Sequence, residues 1–272
     1  MNADAANPGG NSKIDLRGLG IGLLSSGTEV ADAAETLLRR RYEFADPANA
    51  ETLVALGGDG FMLQTLHRML SEGSTKPVFG MNRGTVGFLM NDWRIDHLPE
   101  RIAAAKAIRV APLQMRATTV GGERFSYAAI NEVSLLRETR QTAKIEISVN
   151  GRVALPELAC DGVLVATPAG STAYNLSARG PILPLQAKML ALTPISPFRP
   201  RRWRGALLPN KAKVTIEVMD AEKRPVAAVA DHDEVRSVRS VDIAMDHTIS
   251  LNMLFDPGHN LDERILREQF GY

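Results

Sequence analysis

The sequence lacks the features that mark secreted, membrane or nucleic-acid-binding proteins. It has a single cysteine, Cys160, so no internal disulfide can form, which favours a reducing compartment. No apolar run approaches the roughly 20 residues of a membrane span, and the first residues lack the basic and apolar regions of a secretory signal. Lysine and arginine total 32 against 31 aspartate and glutamate residues, so bulk charge predicts no nucleic-acid partner. We therefore expect a cytoplasmic protein with no membrane and no nucleic acid among its partners.

Common catalytic and metal-binding motifs are also missing. There is no Gly-x-Ser-x-Gly elbow, and one cysteine without a histidine motif is weak ground for a nucleophile. Asp231-His232-Asp233 is too tight a cluster for three ligands on one ion, and a hairpin turn is predicted there instead. No metal-ligand spacing links the other histidines, which are His67, His97, His247 and His259. We assign no metal site to the protein alone.

The length of 272 residues allows two domains, each with its own core. Residues 1–12 are predicted to be a disordered lead. Strands alternate with helices over residues 13–111, which predicts a Rossmann-like, parallel, layered α/β domain. Residues 112–245 hold short runs rich in β-branched residues, which predict a mainly antiparallel β domain. Residues 246–272 form a tail whose amphipathic helix we expect to dock on the N-terminal domain.

Hydrophobic spacing and turn residues place the individual elements. The helix predicted over residues 29–42 has Val30, Ala33, Ala34, Leu37 and Leu38 on one face. In the first domain we also predict strands at 19–24, 53–56 and 76–81 and a helix at 98–108. In the second we predict a hairpin at Asn150-Gly151 and strands at 114–120, 124–132, 144–150, 152–155, 162–166, 213–218 and 227–230.

The stretch 52–70, TLVALGGDGFMLQTLHRML, is predicted to form a strand, a tight glycine turn and a helix. Gly57, Gly58 and Gly60 let a ligand approach the backbone, and the N–H groups that begin the helix can hold phosphate. The turn matches neither a P-loop nor the G-x-G-x-x-G fingerprint. Asp59 would repel phosphate unless a cation lies between them or its carboxylate takes part in proton transfer. The alternative is that Asp59 only caps the helix.

A second stretch, residues 161–181, reads DGVLVATPAGSTAYNLSARGP and predicts a strand, a turn of small hydroxylated residues and a helix over residues 173–178. Such a turn offers N–H and O–H donors, and the ring of Tyr174 can lie against a nucleobase. The alternative is an ordinary helix capped by Ser171 or Thr172. Asn131-Glu132 follows another apolar run, and either ligand contact or solvent exposure explains such a polar pair.

Together these stretches resemble the NAD kinase family. The motifs occur in the family's order: GGDG at 57–60, N-x-G-x-x-G-F-L at 82–89, Asn-Glu at 131–132 and DG-x-x-x-x-T-P-x-G-S-T-A-Y-x-L-S-A-x-G-P at 161–181. The proline-rich stretch 193–209 is similar as well. GGDG alone also occurs in diacylglycerol and sphingosine kinases, whereas the run in 161–181 is far more specific. The implied fold is that of the NAD kinase and diacylglycerol kinase group.

The resemblance implies transfer of the γ-phosphoryl group of ATP to the 2′-hydroxyl of the adenosine ribose of NAD. Asp59 would be the general base and orienter, near the Mg²⁺ that ATP brings. Gly57, Gly58 and Gly60 would approach the ATP phosphates. Asp161 would reach the nicotinamide half, partly across a subunit contact, which implies a homo-oligomer, either dimer or tetramer. The implied NAD contacts are Asp59, Gly60, Asn131, Glu132, Asp161, Thr172, Ala173, Tyr174, Asn175, Leu176 and Ser177.

Four positions depart from the family's pattern. Ala169 stands where Thr is common, and Arg179 stands where Gly is common and adds a cation near the pocket. Asp231-His232 replaces a more usual Asp-Gly. Ala159 replaces an Arg found in some relatives, so the choice between NAD and NADH stays open, as does that between ATP and polyphosphate.

Two alternative functions remain at this stage. One is a dinucleotide-binding sensor without turnover, which an intact Asp59 argues against. The other is a lipid or sphingoid kinase that shares GGDG. The stretch 161–181 and the lack of a membrane-facing segment make that alternative less favoured.

Overall fold

The structure is a computed structural model, and it describes residues 13–85 and 87–258. The predicted lead and the predicted helix of the tail lie outside these residues. The chain divides into two compact units. The first contains the described residues up to Ala107 together with those from Met253 onward, and the second contains Ile108–Asn252.

The first third of the chain alternates short strands with helices. Its elements are β1 (Ile14–Asp15), β2 (Ile21–Ser25), α1 (Glu29–Arg41), β3 (Tyr42–Glu43), β4 (Thr52–Gly57), α2 (Asp59–Ser71), β5 (Val78–Asn82), α3 (Leu98–Ala104) and β6 (Lys106–Val110).

The rest of the described chain consists mainly of strands. They are β7 (Leu113–Thr119), β8 (Arg124–Ala129), β9 (Glu132–Arg137), β10 (Ala143–Val149), β11 (Arg152–Cys160) and β12 (Gly162–Ala166), followed by a 3₁₀ turn (Ala169–Thr172) and α4 (Tyr174–Ser177). After them come β13 (Met189–Ile195), β14 (Ala206–Pro209), β15 (Lys213–Val218), β16 (Val226–Ala230), β17 (Asp233–Val235), β18 (Val238–Met245) and β19 (Leu251–Phe255).

A five-stranded sheet organises the first unit, in the order β2-β4-β5-β19-β6, beside a separate pair of β1 and β3. β2, β4, β5 and β19 pair in parallel. Residues 53–57 of β4 are all buried, as expected for a parallel strand covered on both faces. Because the carboxyl ends of parallel strands meet at one edge, the turns that follow β4 and β5 are neighbours.

The second unit contains two six-stranded antiparallel sheets. Their orders are β11-β10-β15-β18-β7-β8 and β14-β13-β12-β9-β16-β17. One cluster of buried apolar side chains takes members from both sheets, for example Met115, Ile147 and Val241 from the first and Val133 and Val165 from the second. This packing is that of a β-sandwich, and the predicted fold class is confirmed.

Several predicted boundaries are wrong. The helix predicted over 98–108 ends at Ala104, and residues 106–110 form β6, because pairing at the edge of the sheet overrides the helical preference of an alanine-rich run. The strand predicted over 124–132 is two strands, β8 and β9, separated by Ile130-Asn131. No strand was predicted at β1, β3, β13, β14, β17, β18 or β19. No helix within the described residues is long and apolar enough to cross a membrane.

The buried face of α1 also differs from the prediction. The structure buries Ala34 and Leu38 as predicted, together with Ala31, but it exposes Val30, Ala33 and Leu37. The buried and the exposed sets both repeat at i, i+3 and i+7, so spacing alone does not choose between them. Packing against the sheet makes that choice.

Candidate active site

The GGDG turn joins β4 to α2 in the first unit. The N-cap of α2 is Gly58 and Asp59 is the first helical residue, so the alternative that Asp59 caps the helix is excluded. Its carboxylate instead accepts two hydrogen bonds from a distant loop. The backbone N–H of Phe88 donates to Oδ2 at 2.8 Å, and that of Leu89 donates to Oδ1 at 2.9 Å. Asp59 therefore connects the turn to the N-x-G-x-x-G-F-L motif.

The loop that follows β5 is held against the same turn by its backbone. The N–H of Arg83 donates to the carbonyl of Gly57 at 2.6 Å, and Asn82 Oδ1 accepts the N–H of Gly84 at 2.9 Å. A Cβ added to Gly84 would lie 3.2 Å from the Cα of Gly58, which is tighter than an ordinary contact. A Cβ at Gly60 would meet no protein atom within 4 Å. Packing therefore explains the glycine at 84, and the open space at Gly60 leaves room for a ligand.

In the second unit, the Asn131-Glu132 segment is held by Asp231. One oxygen of that carboxylate accepts the N–H of Ile130 at 2.6 Å, and the other accepts those of Asn131 and Glu132 at 3.0 and 3.1 Å. Asp231 and His232 form the turn between β16 and β17, so the predicted hairpin is confirmed. Sequence spacing predicted only a turn at Asp231. The only local hint is its φ of 52°, a left-handed conformation that Asp tolerates better than most residues.

The turn after β12 packs directly on this segment. Thr167 donates its N–H to the carbonyl of Asn131 at 2.9 Å and its hydroxyl to that of Ile130 at 2.7 Å. Gly170 is required here, because a Cβ would overlap the carbonyl oxygen of Asn131. The Thr-Pro-x-Gly part of the motif thus fixes the backbone beside Asn131.

The helix cap predicted at Ser171 or Thr172 is absent. The N-cap of α4 is Ala173, which makes no side-chain cap bond. The buried Ser171 hydroxyl donates to the carbonyl of Pro168 at 2.7 Å. The buried Asn175 amide donates to the carbonyls of Ser171 and Pro181, at 3.0 and 2.9 Å, and its oxygen accepts the Thr193 hydroxyl. Both side chains therefore hold the turn together from inside.

Glu132 lies in an environment that favours its neutral form. Burial, and after it the nearby charge of Asp231, raise the pKa of this carboxyl to about 7, although a backbone N–H donated by Tyr174 acts to lower it. Asn131 Oδ1 and Glu132 Oε2 are buried, and neither has a hydrogen-bond partner within the described residues. Such acceptors carry a desolvation cost that a ligand with N–H or O–H donors would relieve.

Asp161 and Tyr174 line an open cleft of about 700 Å³ together with residues 136–140 and Ile195. Arg137 donates from Nε to Asp161 Oδ1 at 2.6 Å. Burial, Glu132 and Asp161 all raise the pKa of the Tyr174 hydroxyl. Sequence spacing does not reveal Arg137, because its position beside Asp161 follows from the antiparallel register that pairs Leu136 with Gly162.

The structure thus forms two groups from the predicted residues. The first unit joins Gly57–Gly60 to the loop 82–89. The second unit joins Asn131-Glu132 to the 3₁₀ turn and α4, where Thr172, Ala173 and Leu176 are partly buried and Ser177 is exposed. Within residues 13–85 and 87–258, no group of three or more His, Cys, Asp or Glu side chains could hold a metal ion.

Residues 130–245 match a family model described as the ATP-NAD kinase C-terminal domain. A NAD kinase of Rhizorhabdus wittichii is 63% identical over 248 residues, and one of Zymomonas mobilis is 59% identical over the same length. Both matches cover 91% of this chain and 96% of the relative.

Two solved structures share the fold. A yeast NADH kinase complexed with NADH has a TM-score of 0.74 at 19% identity, and the match covers 98% of this chain and 93% of that one. A NAD kinase from Archaeoglobus fulgidus in complex with ATP has a TM-score of 0.70 at 22% identity, with 90% and 96% covered.

Proposed function

The chain belongs to the NAD kinase family and is an ATP-dependent NAD kinase, and we propose that the two groups of residues described above divide its work. The reaction transfers the γ-phosphoryl group of ATP to the 2′-hydroxyl of the adenosine ribose of NAD, which gives NADP. The observation that carries the division is the pair of buried acceptors, Asn131 Oδ1 and Glu132 Oε2. Ribose hydroxyls and the adenine amino group are donors that match such acceptors.

Around those acceptors we place the adenosine half of NAD. Asn131 and Glu132 bind the ribose and adenine, and Tyr174 lies against the base, with Thr172, Ala173 and Ser177 beside it. Asn175 shapes the turn through its internal hydrogen bonds, and the partly buried Leu176 lies next to it in α4. Asp161 contacts the nicotinamide half.

We assign the phosphate donor to the GGDG turn. Gly57, Gly58 and Gly60 let the ATP phosphates approach the backbone at the start of α2. The N–H groups of Phe88 and Leu89 orient the Asp59 carboxylate, and in this proposal the carboxylate accepts the proton of the attacking hydroxyl. Mg²⁺ enters with ATP as part of the substrate, and it neutralises the phosphate charge during transfer.

We also propose a localisation and an oligomeric state. We expect a cytoplasmic homo-oligomer, a dimer or a tetramer, and light scattering after size-exclusion chromatography measures its mass. The relatives named above give no support to a non-catalytic sensor or to a lipid or sphingoid kinase.

Asp59→Asn tests the assignment of the base. An amide cannot accept the proton, so we expect kcat for NADP formation to fall by about 10²- to 10⁴-fold, while calorimetry still shows NAD binding. Glu29→Gln is a matched control, since Glu29 is the first residue of α1, another 13-residue helix, and the change removes the same kind of charge from a helix N-terminus.

Activity of Asp59→Asn close to that of the wild type would remove Asp59 from the chemistry. If neither protein makes NADP although both bind NAD, the sensor replaces the enzyme. Equal losses in Asp59→Asn and Glu29→Gln would point to helix stability as the cause.

A further inference from the structure

A carboxylate at a phosphate-binding turn needs a compensating positive charge. Asp59 lies in the turn to which we assign the ATP phosphates, and at short range like charges repel strongly in a partly buried site. The chain places an arginine at the next strand end. Arg83 follows β5 directly, its N–H donates to the carbonyl of Gly57 at 2.6 Å, and the next residue, Gly84, contacts Gly58.

The side chain of Arg83 stacks on an aromatic ring. Its guanidinium carbon lies 4.8 Å from the centre of the Trp93 ring. Arg83 Nε is buried without a hydrogen-bond partner, and the side chain forms no ion pair with any carboxylate in the part of the chain that the structure describes. A buried cationic donor without an acceptor is costly, and an anion that reaches it relieves that cost.

Arg101, in the same unit, is a useful comparison because its guanidinium group is held by hydrogen bonds within the protein. It too stacks on an aromatic ring, 5.2 Å from the centre of Phe79. Its donors, however, are all engaged: Nε and Nη2 bind the carboxylate of Asp256, and the carbonyls of Asp92 and Arg94 accept the remaining bonds. Arg83 has the same stacking without those acceptors, so its donors remain available to a ligand.

We propose that Arg83 binds the phosphate chain of ATP and that Trp93 is the positioning residue that fixes its guanidinium plane. A ring against one face of a guanidinium leaves the in-plane N–H groups free, and these match phosphate oxygens in a bidentate manner. Arg83 thereby supplies the positive charge that allows Asp59 to remain beside the donor. This inference rests on the proposed assignment of ATP to the GGDG turn.

Steady-state kinetics of Arg83→Gln and Arg83→Lys are the first test. Loss of charge-assisted hydrogen bonds predicts a KM for ATP that is about 10- to 100-fold higher in Arg83→Gln, with the KM for NAD unchanged. Arg83→Lys keeps the charge without the planar fork, so we expect an intermediate KM. The matched control is Arg94→Gln, because Arg94 is an exposed arginine on the same segment. We expect this variant to leave the KM for ATP and the KM for NAD unchanged.

Tryptophan fluorescence gives a second readout that does not depend on turnover. The chain has two tryptophans, so in a Trp203→Phe background Trp93 is the only one. Titration with inorganic tripolyphosphate and Mg²⁺, which lack an absorbing base, is expected to give a saturable change in Trp93 emission. That change should disappear in Arg83→Gln and persist in Arg94→Gln.

Three results would overturn the proposal. The first is an unchanged KM for ATP and an unchanged titration in Arg83→Gln with lower thermal stability, which makes Arg83 a structural residue only. The second is a raised KM for NAD alone, which moves Arg83 to the dinucleotide. The third is a titration that Arg94→Gln also abolishes. If the wild type makes no NADP but the Arg83-dependent titration is present, the phosphate site stands although the proposed function fails.

Discussion

The Glu132 carboxyl illustrates how one residue's chemistry depends on its surroundings. Its pKa of about 7 comes first from burial and then from the charge of Asp231, which itself holds the backbone of residues 130–132. Near neutral pH the free enzyme therefore contains both the neutral and the charged forms. The neutral acid can donate a hydrogen bond, and the carboxylate can only accept.

The shifted pKa of Glu132 makes stability depend on pH. A carboxyl whose pKa rises from 4.5 to about 7 on folding stabilises the protein fully below pH 4.5, and this stabilisation is lost as pH rises through about 7. Glu132→Gln cannot ionise and keeps an acceptor for the Tyr174 N–H. Urea unfolding measures the free energy of unfolding of both proteins. We expect the difference, Glu132→Gln minus wild type, to increase by roughly 2–3 kcal/mol from pH 5 to pH 8.

Glu217→Gln is the control for this experiment, since Glu217 is an exposed glutamate within β15. Its difference from the wild type should stay flat between the two pH values. If the Glu132→Gln difference is equally flat, the carboxyl does not titrate in this range.

At the scale of the element, the end of α4 contains a strained residue. Arg179 follows the C-cap Ala178 with φ of 62°, and its N–H donates to the carbonyl of Leu176 at 2.8 Å. Glycine adopts this left-handed conformation without steric cost, whereas a residue with a Cβ does not. The family resemblance predicts glycine at this position, and the backbone angle supplies the physical reason.

We expect Arg179→Gly to raise the free energy of unfolding by about 1 kcal/mol, because it removes the strain of a left-handed Cβ. Arg179→Ala keeps that strain while it removes the cation, so it should give no such gain. Thermal unfolding of both variants measures the effect. Kinetics of the same pair then isolates the charge, since a contact between Arg179 and phosphate would be lost in both.

Equal stabilities of Arg179→Gly and Arg179→Ala would show that the backbone angle is not strained. Higher stability of both would point to charge repulsion around the arginine.

At the scale of the whole molecule, the first unit is built from two separate parts of the chain. The chain leaves the first unit after Ala107 and returns to it at Met253, where β19 pairs in parallel with β5. The buried Asn91 amide donates to the carbonyls of Gly80 and Leu254, and its oxygen accepts the N–H of Asp256. Arg101 then binds the Asp256 carboxylate, with side chains only 10% and 14% exposed.

Arg101→Met tests how strongly this return stabilises the first unit. It would leave the Asp256 carboxylate buried without its partner, so we expect a loss of about 3–5 kcal/mol of unfolding free energy. Hydrogen exchange should increase in β19 before it increases in the second unit. Arg94→Met is the control, since that side chain is 65% exposed, and it should change stability by less than about 0.5 kcal/mol.

A loss below 1 kcal/mol in Arg101→Met would mean that Asn91 and the strand pairing suffice. Exchange that increases equally in both units would mean that they unfold together.

Local sequence patterns alone predicted the elements that hold the motifs. Buried runs, glycine turns and hydroxylated turns follow from local backbone and side-chain preferences, so β4, α2 and β12 could be predicted, and the order of the motifs identified the family. Only the tertiary structure decided the partners of those residues. The bonds from Asp231 to residues 130–132, from Arg137 to Asp161 and from residues 88 and 89 to Asp59 join positions 24 to 101 residues apart. Such contacts depend on strand order and register, which local periodicity does not specify. The same holds for the stripe of α1 that faces the sheet, since two stripes of equal spacing satisfy the helix and only packing distinguishes them.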